Sequence, residues 1–276
     1  MGEEPSDNVS IVIATHKKCQ MPADIMYLPL HVGAEGKADE HGNPLDFGYV
    51  KDNTGDNISN KNFCFGTQTA LYWMWKNLDT EYKGLVHYRR YFVVQRTKTK
   101  NMLQSVMTYA QLKPMLGSYK VFVPKKRWYY VETLYSHYAH THDENHLILT
   151  RGIIECKCPD YLKSYDKVLR RRWGFMFNMM ILQKEFMDDY CSWLFEILFA
   201  LFDIVDRTNM TAFERRFCGR ISEILFDVWL EKKLETGELT KSEMKELPYV
   251  EDVHWKYKVK AFLSAKFLKR KYEASS

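Results

Sequence analysis

Val9-Ser10-Ile11-Val12-Ile13-Ala14 (VSIVIA) runs directly into Thr15-His16-Lys17. A near-continuous run of β-branched side chains, without polar alternation, marks a strand buried on both faces in a parallel sheet. Its polar ending falls where open α/β sheets place their ligands, just outside the carboxyl ends of the strands. The chain repeats this pattern. Residues 25–32 read as a second short strand, 62–78 as a buried helix, 84–87 as the next strand, 108–116 as a helix and 119–124 (YKVFVP) as a further strand. That alternation defines an α/β fold class. Further on, residues 133–140 and 147–155 read as helices and 174–183 (GFMFNMMILQ) as a strand. Residues 186–205 and 220–234 then make a helical C-terminal part, followed by a polar connection over 236–247.

With 276 residues, 46% of them hydrophobic and 27% charged, the chain fits one large globular domain, or one with a helical extension. Aromatic content is 15%, most of it expected in the core. The six cysteines are scattered, and Cys156-Lys157-Cys158 is too close for Cys-x-x-Cys zinc or redox spacing. Reduced thiols in a cytosolic protein are expected. No N-terminal run resembles a signal peptide, and the longest apolar stretch, 193–205, is interrupted by Glu196 and Asp203. Met1-Gly2 with Ser6 matches a myristoylation pattern only formally, given Glu3, Glu4 and Pro5. Neither a P-loop nor G-x-G-x-x-G occurs, so neither an ATPase nor a dinucleotide enzyme is indicated.

Three polar clusters carry the functional reading. The first is Thr15-His16-Lys17; the second is the run from Asp52 through Asn53, Gly55, Asp56 and Asn57 to Asn62. The third, His87-Tyr88-Arg89-Arg90, ends a short apolar strand. Lys17, Arg89 and Arg90 supply cations for phosphates, while Asp52, Asp56, Asn57 and Asn62 supply acceptors for ribose or sugar hydroxyls. A nucleotide-diphosphate ligand needs both kinds of group. His137, His140, His142 and His146, with Asp143 and Glu144, offer zinc-ligand residue types without a His-Glu-x-x-His signature. An acceptor-binding loop is the preferred reading there. Gly219-Arg220-Ile221-Ser222-Glu223 reads as a helix start, with Ser222 an N-cap and Glu223 a first-turn acid or a general base facing a cleft. Residues 256–272 carry a basic, amphipathic tail suited to an anionic membrane surface. No nucleic-acid motif accompanies the charge.

Together, the Thr15-His16-Lys17 strand end, DNTGDNIS-x-KN, Tyr72-Trp73-x-Trp75-Lys76-Asn77, HYRRYF, Asn178-Met179, Cys191-Ser192-Trp193-Leu194-Phe195 and Gly219–Glu223 resemble one family. It comprises the small glycosyltransferases of bacterial capsular and exopolysaccharide gene clusters, long filed as a domain of unknown function. The resemblance spans about residues 9–235. It implies a GT-A-like nucleotide-diphospho-sugar transferase fold with a Rossmann-like mixed sheet, followed by residues 236–276 as polar connection and tail. The implied activity is transfer of a hexose, plausibly galactose or galactofuranose, from a UDP-sugar to a glycan or lipid-linked acceptor. The expected location is cytoplasmic, at the inner face of the membrane. GT-A enzymes usually hold a metal on Asp-x-Asp; here His87-Tyr88-Arg89-Arg90 stands at the comparable strand end. No cofactor is therefore expected; Mn or Mg would enter only if Asp52 or Asp56 were ligands. Inversion with Glu223 as base is favoured, and Asp143 is the next candidate. A non-catalytic nucleotide-sugar or glycan-binding protein would share these clusters.

Overall fold

The computed structural model describes residues 9–96 and 101–252. Its first half contains β1 (Val9–Thr15), β2 (Tyr27–His31), β3 (Val50–Lys51), α1 (Asn62–Phe65), α2 (Gln68–Asn77), β4 (Tyr82–His87) and β5 (Arg90–Phe92). Next come α3 (Tyr109–Leu112), β6 (Val121–Pro124), β7 (Arg127–Trp128), α4 (Leu134–Thr141), α5 (Asn145–Lys157), α6 (Leu162–Leu169) and β8 (Trp173–Gly174). The rest is β9 (Met180–Gln183), α7 (Lys184–Ile204), α8 (Phe217–Thr236), β10 (Met244–Leu247) and β11 (Tyr249–Glu251).

β1 lies inside the main sheet, whose order is β10-β6-β9-β4-β1-β2-β3. Ile11, Val12, Ile13 and Ala14 are all fully buried, because both faces are covered. Val12 and Ala14 join the core under the helical layer, whereas Val9, Ile11 and Ile13 join the core on the opposite face with Tyr91, Phe92 and Leu112. β1 is parallel to β2 and β4, and β2 to β3. β9 is antiparallel to both β4 and β6, so β6 runs the same way as β4; β10 is parallel to β6. The carboxyl ends of six strands therefore share one edge with the start of β9. This is the mixed-sheet α/β class expected from the sequence. No helix among the described residues is long and apolar enough to cross a membrane.

Four local expectations need correction. The helix expected over 62–78 is broken at Gly66, whose φ of 55° lies in the left-handed region and ends α1. The strand expected over 174–183 is divided, because Phe177 and Asn178 have φ of 79° and 51°. Ser222 and Glu223 do not open a helix; α8 begins at Phe217, so Ser222 is no N-cap. Gly219, inside α8, is where two backbones approach: a Cβ there would lie 2.9 Å from the Phe65 carbonyl oxygen. Finally, residues 236–247 are more than a connection. β10 extends the main sheet beside β6, and β11 pairs with β5, so the sheet continues past residue 235. The basic segment 256–272 lies outside the described residues.

Candidate functional site

The Thr15 hydroxyl donates to the Lys17 carbonyl (2.7 Å) and accepts from the Lys17 N–H (3.3 Å), folding the turn that leaves His16 and Lys17 exposed. β4 ends beside it: Tyr88 N–H donates to the Ala14 carbonyl at 3.2 Å. The Tyr88 ring meets His16 edge-on at 5.3 Å, and Lys17 Nζ and the Arg89 guanidinium each lie 5.2 Å from its centroid. Arg90 is held by Glu251 at 3.0 Å and lies 4.3 Å over the Phe177 ring. Arg216 approaches from the start of α8, within electrostatic reach of His16 and His87.

The potential of this edge is positive. Burial first, then Arg90, Arg89, His16 and Arg216, push the His87 pKa down to about 3. His16 is lowered by burial, Arg89, Arg216 and Lys17, and His31 chiefly by burial. These imidazoles are consequently neutral hydrogen-bonding groups among fixed cations. His31 Nδ1, His87 Nδ1 and Arg89 Nε are buried with no hydrogen-bond partner among the described residues. Unspent polar atoms in a cationic setting suit a phosphate-bearing anion.

Glu223 lies in the second turn of α8, half-buried, and accepts a hydrogen bond from the Phe177 N–H. That donor is aimed by the left-handed pair Phe177–Asn178. Asn178 Nδ2 donates to the Gly219 carbonyl (3.1 Å), and Ser222 Oγ donates to Asn178 Oδ1 (3.1 Å). Burial raises the Glu223 pKa; the Phe177 N–H, Arg127, Arg90 and Arg220 oppose the rise. The result is a carboxylate more basic than usual, within electrostatic reach of the Arg127 and Arg90 guanidiniums. Tyr129 beside it is pushed up to about 12, mainly by burial. One and two turns further along α8, Asp227 accepts from Phe175 N–H at 3.1 Å, and Glu231 pairs with Arg171. Burial lifts the Asp227 pKa to about 7.

The 52–62 loop is tied to the elements around it. Asp52 is fully buried and accepts from the Gly33 N–H (2.8 Å), Ala34 N–H (3.0 Å), Thr69 Oγ1 (2.7 Å) and Ser59 Oγ. Asn62 Nδ2 is used by the Gly66 carbonyl and Thr69 Oγ1. From Asp52 the loop runs along α2: Trp73 Nε1 donates to the Thr54 carbonyl (3.0 Å), and Tyr72 Oη donates to Asp56 (3.1 Å). Asn77 Oδ1 accepts from the Asp56 N–H (3.1 Å) and would collide with any Cβ on Gly55, whose φ is 57°. Asn57 Nδ2 donates to the Gly55 carbonyl, and Asn53 Nδ2 to Glu35. The tip thus sits against the last turn of α2, while the first turn lies near the carboxyl edge. Helix rise separates the two by about 12 Å. Several of the loop's polar groups strap a helix, and among the described residues no hydrogen bond or ion pair joins Asn53, Gly55, Asp56 or Asn57 to the cationic cluster.

The histidines of 137–146 also disperse. His137 and His140 both bind Glu132 (2.7 and 2.8 Å), whereas His146 Nδ1 meets Tyr138 Oη at 3.1 Å and its ring stacks on Phe217. Among the described residues no group of three His, Cys, Asp or Glu is arranged to hold a metal. Asp143 accepts from the Asn145 N–H at the start of α5. Arg127 and Arg216 were not singled out from sequence. Arg127 follows an apolar strand in a basic, aromatic run, a signal of the same kind as His87–Arg90; Arg216 had none.

The site therefore joins the cationic carboxyl edge of an α/β sheet to a half-buried acid, Glu223. The family model "Domain of unknown function (DUF4422)" matches residues 10–234, and the chain belongs to that family. Among solved structures it is similar to the apo bifunctional glycosyltransferase WbbM, with 28% identity and a TM-score of 0.77. The match covers 88% of this chain and 45% of that one, so this chain spans less than half of WbbM's length. No curated protein matches the chain.

Proposed function

We propose that the chain is a glycosyltransferase that moves a hexose, galactose or galactofuranose being the first to test, from a UDP-sugar to a capsular or exopolysaccharide acceptor, free or lipid-linked. The observation that carries this reading is Glu223, half-buried and within electrostatic reach of Arg90 and Arg127, in a fold shared with a glycosyltransferase. Lys17, Arg89, Arg90 and Arg216 receive the diphosphate, with His16 and His87 as neutral donors or acceptors. Glu223 takes the proton of the acceptor hydroxyl. The acceptor oxygen bonds to the anomeric carbon as the bond from that carbon to the phosphate oxygen breaks, and UDP leaves with the electron pair. Guanidiniums fixed beforehand stabilise that charge without reorganising. The donor groups at this edge are cations and imidazoles rather than paired carboxylates, so they do not fit a resident divalent metal.

The test is release of UDP from a panel of UDP-hexoses by wild type and Glu223→Gln. Wild type releases UDP from one donor slowly, and faster with acceptor; the variant binds that donor but releases UDP about a hundredfold to ten-thousandfold more slowly. Binding with no turnover by wild type would make the protein a nucleotide-sugar binder instead.

A further inference from the structure

Phe177 stands in the middle of a continuous chain of ring and guanidinium contacts. Its N–H donates to Glu223, and its ring is met by Arg90 at 4.3 Å, by Arg127 at 5.8 Å and edge-on by Tyr249 at 5.4 Å. From Tyr249 the chain continues to Arg96, 5.4 Å from that ring. From Arg127 it continues to Tyr129 at 5.2 Å, and the Tyr129 ring meets His137 at 4.4 Å. Residues opposite each other in paired strands share a face. Arg127 stands opposite Gly174, where a Cβ would lie 2.5 Å from Asp227 Oδ2, so this face of β7 looks at α8. Tyr129 accordingly lies within electrostatic reach of Glu223 as well.

The rings of this chain are half-buried, whereas Arg96 and Arg127 are exposed and pair with no carboxylate among the described residues. Arg90, by contrast, is held by Glu251. A guanidinium stacked on a ring keeps its N–H edge free, and that edge matches a carboxylate through two parallel hydrogen bonds. Half-buried rings present an apolar face of the size of a sugar ring. Rings and free guanidiniums in alternation therefore suit a polymer in which sugar rings and carboxylates alternate. A diphosphate makes no use of the rings, and its adjacent charges call for cations gathered as Lys17 and Arg89 are around Tyr88. Arg96 and Arg127 are instead separated in the chain of contacts by two rings, Tyr249 and Phe177.

We propose that the acceptor is an acidic glycan, its sugar rings laid on Tyr129, Phe177 and Tyr249, its carboxylates held by Arg127 and Arg96, and its accepting hydroxyl at Glu223. This rests on the glycosyltransferase reading above and names the class of acceptor within it.

The test is calorimetric titration of the full chain, with UDP in excess, by a tetramer of galacturonic acid and by the same tetramer fully methyl-esterified. Wild type binds the free acid about tenfold more tightly than the ester, and the difference shrinks as salt rises. Arg127→Gln and Arg96→Gln each weaken binding of the free acid roughly tenfold. Both leave the ester's affinity and the melting temperature unchanged. Inorganic diphosphate does not displace the tetramer. Equal binding of acid and ester, binding of neither, or wild-type affinity for the acid in both variants would overturn the proposal. So would displacement by inorganic diphosphate that Arg127→Gln abolishes, which would make these guanidiniums a seat for the diphosphate of a lipid carrier. No turnover is read, so failure to bind the acid and failure to release UDP are separate results. The second would overturn the glycosyltransferase reading, the first only its acceptor.

Discussion

Removing the Asp52 carboxylate strands four donors, two of them backbone N–H groups that hold the 33–34 turn. Each buried donor left unmade costs about 1–3 kcal/mol. We expect Asp52→Ala to lose roughly 3 kcal/mol or more in urea unfolding, a structural rather than a ligand-binding phenotype. Glu223→Gln belongs to the same scale and has the opposite signature. It keeps an acceptor for the Phe177 N–H, so stability and donor affinity should hold while turnover falls about a hundredfold to ten-thousandfold. In wild type the acidic limb of the rate profile should lie above the ordinary carboxylate range, because burial raises the Glu223 pKa. Both residues stood out in the sequence, but the sequence did not show the four donors around Asp52 or that Glu223 lies in the second turn of α8 rather than at its start. A polar side chain that binds a ligand and one that straps a helix have the same composition, and only their partners, Gly33 and Thr69 for Asp52, separate them.

At the element scale α8 carries the most consequence. Gly219→Ala should gain up to about 1 kcal/mol of helix propensity, yet its Cβ would press on the Phe65 carbonyl, backbone that cannot give way easily. Overpacking of this kind costs about 1–3 kcal/mol, so net destabilisation of about 1 kcal/mol is the expected denaturation result. Asp227 tests the interior of the same helix. Its folded-state pKa of about 7 lies above the ordinary carboxylate value, so the folded state binds this proton more tightly than the unfolded chain. That stabilisation is full below the unfolded pKa, near 4, and is lost as pH rises through about 7. Asp227→Asn should flatten this dependence, worth no more than about 4 kcal/mol between pH 4 and 8. The buried strand β1 and most helices were legible from hydropathy alone. The breaks at Gly66 and Phe177–Asn178 were not, because a positive φ leaves no mark on periodicity. Nor was β10, whose Met-Lys-Glu-Leu sequence reads as polar because three of its four residues are only half-buried.

For the whole molecule, the site is a product of topology. His16 comes from β1, Arg89 and Arg90 from the β4–β5 turn, Arg127 from β7 and Glu223 from α8; parallel order brings these ends together. Strand-end polarity made half of that visible in the sequence, but no local signal could say that Arg127 and Arg216 would join it. If protein cations serve the leaving diphosphate, transfer should continue in excess EDTA, and a loss restored by Mn or Mg would place a metal there. The cationic edge and the 52–62 loop make opposite forecasts for donor binding, and calorimetric titration of UDP into Arg89→Gln and Asp56→Ala separates them most directly. Arg89→Gln removes a charge-assisted partner and should weaken binding roughly tenfold to a hundredfold, while Asp56→Ala leaves affinity unchanged. Unaltered affinity in Arg89→Gln with a large loss in Asp56→Ala would contradict the account and return the donor to the loop.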